Sequence, residues 1–274
     1  MNDLRGVLHE RIERRQLELP VLPRAAQEVL SLAADEACDL RRVADAIRSD
    51  PTLAAHVLRV VNSPMFRART PVVSLPQALA RLGTVRVRQV MLVIACEARA
   101  LCVRGREREA EAWLAHALDT AFFAQEIARV RRQSVEEAFL CGLLHDVGMP
   151  VLWQLLADLE AEGLVAPARD AREEAAALDE LHAQVGALVA GRWELPTRVV
   201  AAIASHHAPV AASAGSGERP VFARVALVLA DALADAGEDA PGRAEVRAVV
   251  EALELYPEEL DAVVASRRAL AEAA

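Results

Sequence analysis

Apolar and polar positions follow a helical period along nearly the whole chain. Leu40, Val43, Ala44 and Ile47 make one stripe behind Asp39, a capping residue type. Asp50 caps the next predicted helix, with Pro51 at its first position, where a missing N–H is no loss. Its stripe is Leu53, Ala54, Val57, Leu58 and Val61, and Asn62-Ser63-Pro64 ends it. Ser74 opens a short helix that stops at Gly83. Thr84 caps a helix through Val87, Val90, Met91, Ile94 and Leu101 that lacks a clean polar face, which predicts a central place. A long helix over 107–131 carries Trp113, His116, Thr120 and Phe123 along one side. Ser134 and Glu137 have the spacing of a capping box, and the helix they open ends at His145-Asp146-Val147-Gly148. Pro150 begins another through Leu156 and Leu159. The pattern then predicts helices over 170–192, from Leu195-Pro196 to His206-His207, over 220–236, and two short ones to close the chain. No segment alternates as a strand does, so the expected fold class is all-α.

Composition supports that expectation. The 274 residues include 57 alanines and 31 arginines, and lysine is absent. Alanine, leucine and arginine are strong helix formers. A hydrophobic share of 54% excludes global disorder, and a 3% aromatic share leaves the core to Ala, Leu and Val. The charged segment 104–108 is the predicted boundary between residues 1–106 and 107–274. Residues 212–219 read as a surface loop by composition. Apolar runs such as Val90 to Cys96 are far shorter than the roughly 20 residues of a membrane span. The N-terminal charges are not followed by the apolar stretch of a secretory signal, so a cytoplasmic protein with no membrane partner is expected. Cys38, Cys96, Cys102 and Cys141 have no metal-ribbon spacing and read as reduced, mostly buried thiols.

The net charge of -9 is uneven: residues 1–150 are mildly basic and 151–274 strongly acidic. Arg81 to Arg108 holds seven arginines against Glu97 and Glu107. A nucleic-acid groove and a solvated helix face both fit that stretch. An acidic chain with few aromatics gives bases little to stack on, so the solvated face is the expectation.

The histidines carry more information. Five of the seven, His116, His145, His182, His206 and His207, lie in or at the end of apolar helices. One precedes Asp146 and two are adjacent. Imidazole and carboxylate are the ligands of divalent transition metals when no thiolate is present. Neighbouring helical residues point about 100° apart, so such a pair reaches two metals, or one metal from two directions. Each histidine alone reads as a hydrogen-bonded core residue, and Asp231 alone as a surface acid. Asp231 in an apolar helix is costly unless paired or metal-bound, and the case rests on the set.

In order, His116, His145-Asp146 within GLLHDVG, and Asp231 resemble the H…HD…D pattern of the HD superfamily of metal-dependent phosphohydrolases. The two-metal branch, including the HD-GYP cyclic-di-GMP phosphodiesterases, adds a histidine and a His-His pair, here His182 and His206-His207. The resemblance implies that His116, His145, Asp146 and Asp231 hold one metal. Asp146 then bridges to a second held by His182, His206 and His207. LPVLPRAAQEVL, IRSDPTLAAHVLRVVNSPMF, SLPQALARLG and LHAQVGALVAGRWELPTRVVAAIASHH look like the HDOD family of bacterial signalling domains, over roughly residues 15–235. That likeness implies an N-terminal helical lobe, 1–106, and an HD-like lobe, 107–274.

Two functions follow as expectations. The HDOD likeness implies a regulatory scaffold that binds a signalling protein, its upstream signal coming from another chain and its oligomeric state open. The intact ligand set implies instead a phosphohydrolase acting on a nucleotide or phosphoester, with His145 and Asp146 catalytic and one or two ions of Fe, Mn, Zn, Co or Ni. No GYP motif is present, and HDVGMP places Met149 where the HD-GYP enzymes carry a phosphate-contacting lysine. A thioether neither donates a strong hydrogen bond nor neutralises phosphate, which argues against cyclic-di-GMP turnover.

Overall fold

The computed structural model describes residues 4–22, 24–33, 40–63, 66, 70–100, 103, 105–166, 170–208, 222–236 and 244–271. Among them every regular element is a helix, as the periodicity predicts. The Asp39 cap, Pro64, Cys38, Cys102 and the segment 212–219 lie outside the described residues.

Two compact units divide the chain: residues 1–21 with 99–256, and residues 22–98 with 257–274. A cut at 106/107 would leave the first helix, α1 (Leu4–Glu13), with the N-terminal lobe. It clusters instead with the later residues, because Leu4, Leu8 and Ile12 are buried and the helix packs on α9 (Ala171–Arg192). Arg5 pairs with Glu180, Arg11 with Glu162, and Trp193 Nε1 donates to the Pro20 carbonyl at 2.8 Å.

The smaller unit holds α2 (Arg24–Ala33), α3 (Leu40–Arg48), α4 (Pro51–Val61), most of α5 (Leu75–Ala100) and α13 (Pro257–Ala271). Asp50 caps α4 as expected, accepting from the Thr52 and Leu53 amides at 2.9 and 3.1 Å. Asn62 then closes the turn: its amide donates to the Leu58 and Val72 carbonyls, and its oxygen accepts from the Val72 amide at 2.8 Å. That reciprocal clasp explains an Asn after an apolar helix. The predicted stop at Gly83 is a break inside α5, where φ is 67° and the left-handed conformation favours glycine. At fifteen residues α13 is longer than the short closing helix the pattern suggests.

The larger unit contains α1, α6 (Glu107–Val130), α7 (Val135–Leu144), α8 (Gly148–Ala161), α9, α10 (Thr197–Ala204), α11 (Phe222–Ala236) and α12 (Ala244–Ala252). α6 lies against both α7 and α11, while α9 packs on α8 and α10. Ser134 caps α7 by accepting from the Glu137 amide at 3.2 Å. α8 begins at Gly148, not Pro150; the proline fits within the first turn, where no intrahelical N–H bond is lost. The stretch Val135–Ala161 has the apolarity and combined length of a membrane span. It is broken by the turn at 145–147, and 83% of its most apolar window is buried. Its apolarity therefore serves the core of this unit. Cys96 and Cys141 are buried, and loss of hydration pushes both thiols up to about 12.

Candidate metal centre

The site begins where α7 ends. Leu144 closes the helix, and His145, Asp146 and Val147 form the turn into α8. A carbon on Gly148 would lie 2.1 Å from the His182 carbonyl oxygen and 2.7 Å from the Gly186 amide nitrogen. Only glycine lets this turn close onto α9, and that approach brings His145 and Asp146 beside His182. The Asp146 carbonyl accepts from Trp113 Nε1 at 3.0 Å and from the Met149 amide at 2.9 Å, which anchors the turn to α6 and α8.

Four other segments add ligand-type side chains: α6 gives His116, α11 gives Asp231, α9 gives His182, and the end of α10 gives His206-His207. All seven residues singled out in the sequence converge. On one side, His116 Nε2 lies 3.2 Å from His145 Nε2 and 3.0 Å from Asp231 Oδ1. His145 Nε2 lies 3.3 Å from Asp231 Oδ1 and 3.2 Å from Asp146 Oδ2. On the other side, His182 Nε2 lies 3.2 Å from His206 Nε2 and 2.8 Å from His207 Nε2. Asp146 Oδ1 joins them, 3.1 Å from His182 and 3.5 Å from His206. One carboxylate therefore turns one oxygen to each group.

The ring orientations are set from behind. Nδ1 of His145, His182 and His206 faces the carbonyls of Gly142, Leu178 and Ile203 at 2.8, 3.2 and 2.7 Å. A carbonyl only accepts, so each Nδ1 carries hydrogen, and a neutral ring presents its Nε2 lone pair to the centre. His116 Nδ1 is backed by Asp235 Oδ1 at 3.4 Å. Facing lone pairs at these distances repel unless a cation or proton lies among them. Metal–nitrogen bonds of about 2.0–2.1 Å put octahedral ligands about 2.9 Å apart and tetrahedral ones about 3.3 Å apart. The separations here, from 2.8 to 3.5 Å, lie close to those values, so His116, His145 and Asp146, and likewise Asp146, His182, His206 and His207, could hold a metal.

Without metal, protons take that place. Burial disfavours a charged His145, yet Asp146 and Asp231 outweigh it and raise the ring to about 10. His116 is raised by its bond to Asp231, and His182 rises against burial because of Asp146. Burial opposes the charge of both carboxylates, but the imidazoles prevail and lower Asp146 and Asp231. Exposed His207 is lowered by desolvation and by His206 and His182.

Sequence reasoning missed the supports. Asp235 lies one turn beyond Asp231, a readable spacing. Arg224, a lone cation in an apolar run, is 7% exposed, and its guanidinium donates to the carbonyls of Ser205, at 2.9 Å, and Ala208. Those carbonyls bracket His206-His207, so Arg224 fastens that pair to the helix bearing Asp231. A groove of about 840 Å³ opens on the cluster, lined by His116, Asp146, His182, His207 and Asp231 and flanked by Met149, Trp153 and Arg106.

The sequence pattern of the HDOD domain family matches residues 19–209. The chain belongs to that family. This HDOD domain is 27% identical over 204 residues to an uncharacterized protein of Treponema pallidum, strain Nichols. The match takes 69% of this chain but spans only 38% of that relative's length. Its fold is shared with a Shewanella amazonensis SB2B protein provisionally named a metal-dependent phosphohydrolase, at a TM-score of 0.76 and 18% identity over 97% of this chain and 96% of that one. An HDOD domain protein of unknown function from Geobacter sulfurreducens is also similar, with a TM-score of 0.65 and 21% identity over 94% of both chains.

Proposed function

We propose that this HDOD domain is a regulatory module built around a metal centre, and that it acts by binding a signalling protein. The observation that carries the metal centre is the set of ring nitrogens whose Nδ1–H groups are tied to carbonyls while their Nε2 atoms converge on Asp146. His116, His145 and Asp231 would hold one divalent transition metal and His182, His206 and His207 a second, with Asp146 shared. Fe, Mn, Zn, Co and Ni all suit such ligands. A bound metal would supply Lewis acidity and a water acidic near neutral pH. Metal held by five separate segments would also add to the stability of the helical unit.

The groove's lining supports the regulatory reading. Glu109, Asp179 and Asp235 line it beside Arg106, which is paired to Glu174. Met149 adds no charge. That surface repels a polyanion such as a cyclic dinucleotide.

A second reading, a metal-dependent phosphohydrolase using His145 and Asp146, is favoured by one specific observation. The cluster opens on a groove large enough for a small phosphoester, rather than being sealed in the core. Hydrolysis of a model phosphodiester and a phosphomonoester by metal-loaded protein separates the two readings. The regulatory reading predicts equal, background rates for wild type and the His145→Ala, Asp146→Ala double variant. Turnover that is lost in the double variant would overturn it in favour of the enzyme.

A further inference from the structure

The groove beside the cluster has one arginine among its described lining residues, in a chain without lysine. Arg106 stands immediately before α6, the helix that carries His116. Its guanidinium lies 6.0 Å from the Trp153 ring centre, and its Nη2 donates to Glu174 on α9. The two side chains are 22% and 15% exposed, so their pair is shielded yet borders open space. α6 and α9 each also present a histidine of the cluster, His116 and His182. The pair therefore joins the two helices that flank the groove.

We propose that Arg106 is an anion-binding arm, held at rest by Glu174 and transferable to a single phosphoryl group bound at the metal centre. A planar fork of N–H donors that fits a carboxylate fits a phosphate equally well. Trp153 supplies an apolar ring along which the guanidinium stem can turn without losing its packing. The flanking carboxylates Glu109, Asp179 and Asp235 restrict the ligand to one phosphoryl group on an otherwise uncharged body. Longer polyphosphates would place their further charges against these acids. The inference rests on the metal-centre reading, and it holds whether the ester is turned over or only sensed.

The test is calorimetric titration of the full, metal-loaded chain with inorganic phosphate and with pyrophosphate, metal content being measured on the same samples. Arg106→Gln should weaken phosphate binding about ten-fold, the size expected for one charge-assisted contact. Arg106→Lys should recover part of that loss. Glu174→Gln frees the arm and should tighten phosphate binding several-fold, a gain that damaged folding does not produce. Pyrophosphate should bind no better than phosphate. A metal-loaded wild type whose phosphate affinity matches those of Arg106→Gln and Glu174→Gln would overturn this inference alone. A wild type that takes up no metal would overturn the metal reading and this inference with it.

Discussion

The two halves of the cluster use the same ring atoms in different electrical settings. The half formed by His116 and His145 faces two carboxylates, Asp146 and Asp231, with Asp235 behind His116. The half formed by His182, His206 and His207 meets Oδ1 of Asp146, with the charge of Asp179 acting on His182 and His207 from further off. The carboxylate-rich half raises its histidines and holds protons in the absence of metal. In the other, the outermost ring, His207, is lowered by desolvation and by its histidine neighbours and stands ready as a neutral ligand. Equal ligand counts therefore do not imply equal sites. The first half attracts a divalent ion more strongly by charge but must release protons to take it. In the second, His182 is likewise raised by Asp146 and has a proton to release, whereas His207 is lowered, and the half offers less charge.

The comparison depends most on Asp146, the residue the halves share. Asp146→Ala should lower metal affinity at both halves by more than about 100-fold, beyond the usual effect of losing a supporting residue. Metal titration followed by calorimetry checks this, and one unaffected site would show that the halves do not share the carboxylate. His116→Ala and His207→Ala should each weaken one half only, leaving about one ion per chain. If both variants lose all metal, the halves form a single site. Arg224→Met should be milder, because it leaves the ligands in place but frees the carbonyls of Ser205 and Ala208. Affinity at the His182 half should fall about ten-fold, with the other half unchanged. Gly148→Ala forces a carbon against the His182 carbonyl and should cost about 1–3 kcal/mol of stability, read from urea unfolding.

The smallest expected effect is one of sign. His145 is raised from 6.5 to about 10 in the metal-free protein, so its stabilisation is complete below pH 6.5 and lost as pH rises through 10. Metal binding needs the neutral rings, so the stability it adds grows as pH rises. Thermal midpoints from pH 7 to 9 should decline in chelator relative to saturating metal. Parallel curves would contradict the proton-for-metal exchange.

Much of this was readable in the residues. Helix period, caps such as Asp50 and Ser134, and the order of five histidines and two aspartates needed no coordinates, because each rests on local spacing. The supports were hidden for a physical reason. Gly148 reads as a helix stop, and only the approach of α9 shows that it is a contact. Arg224 looks misplaced in an apolar helix until the carbonyls of the α10 turn are set against it. α1 carries a plain amphipathic pattern, and nothing in that pattern selects α9 as its partner. Long-range pairing is the information that periodicity lacks.

Metal content tests the central claim most directly. Wild-type protein purified in metal-supplemented medium should carry up to two equivalents of divalent transition metal per chain by elemental analysis, and Asp146→Ala essentially none. Wild-type protein that remains metal-free, or an Asp146→Ala variant that keeps the same content, would contradict it.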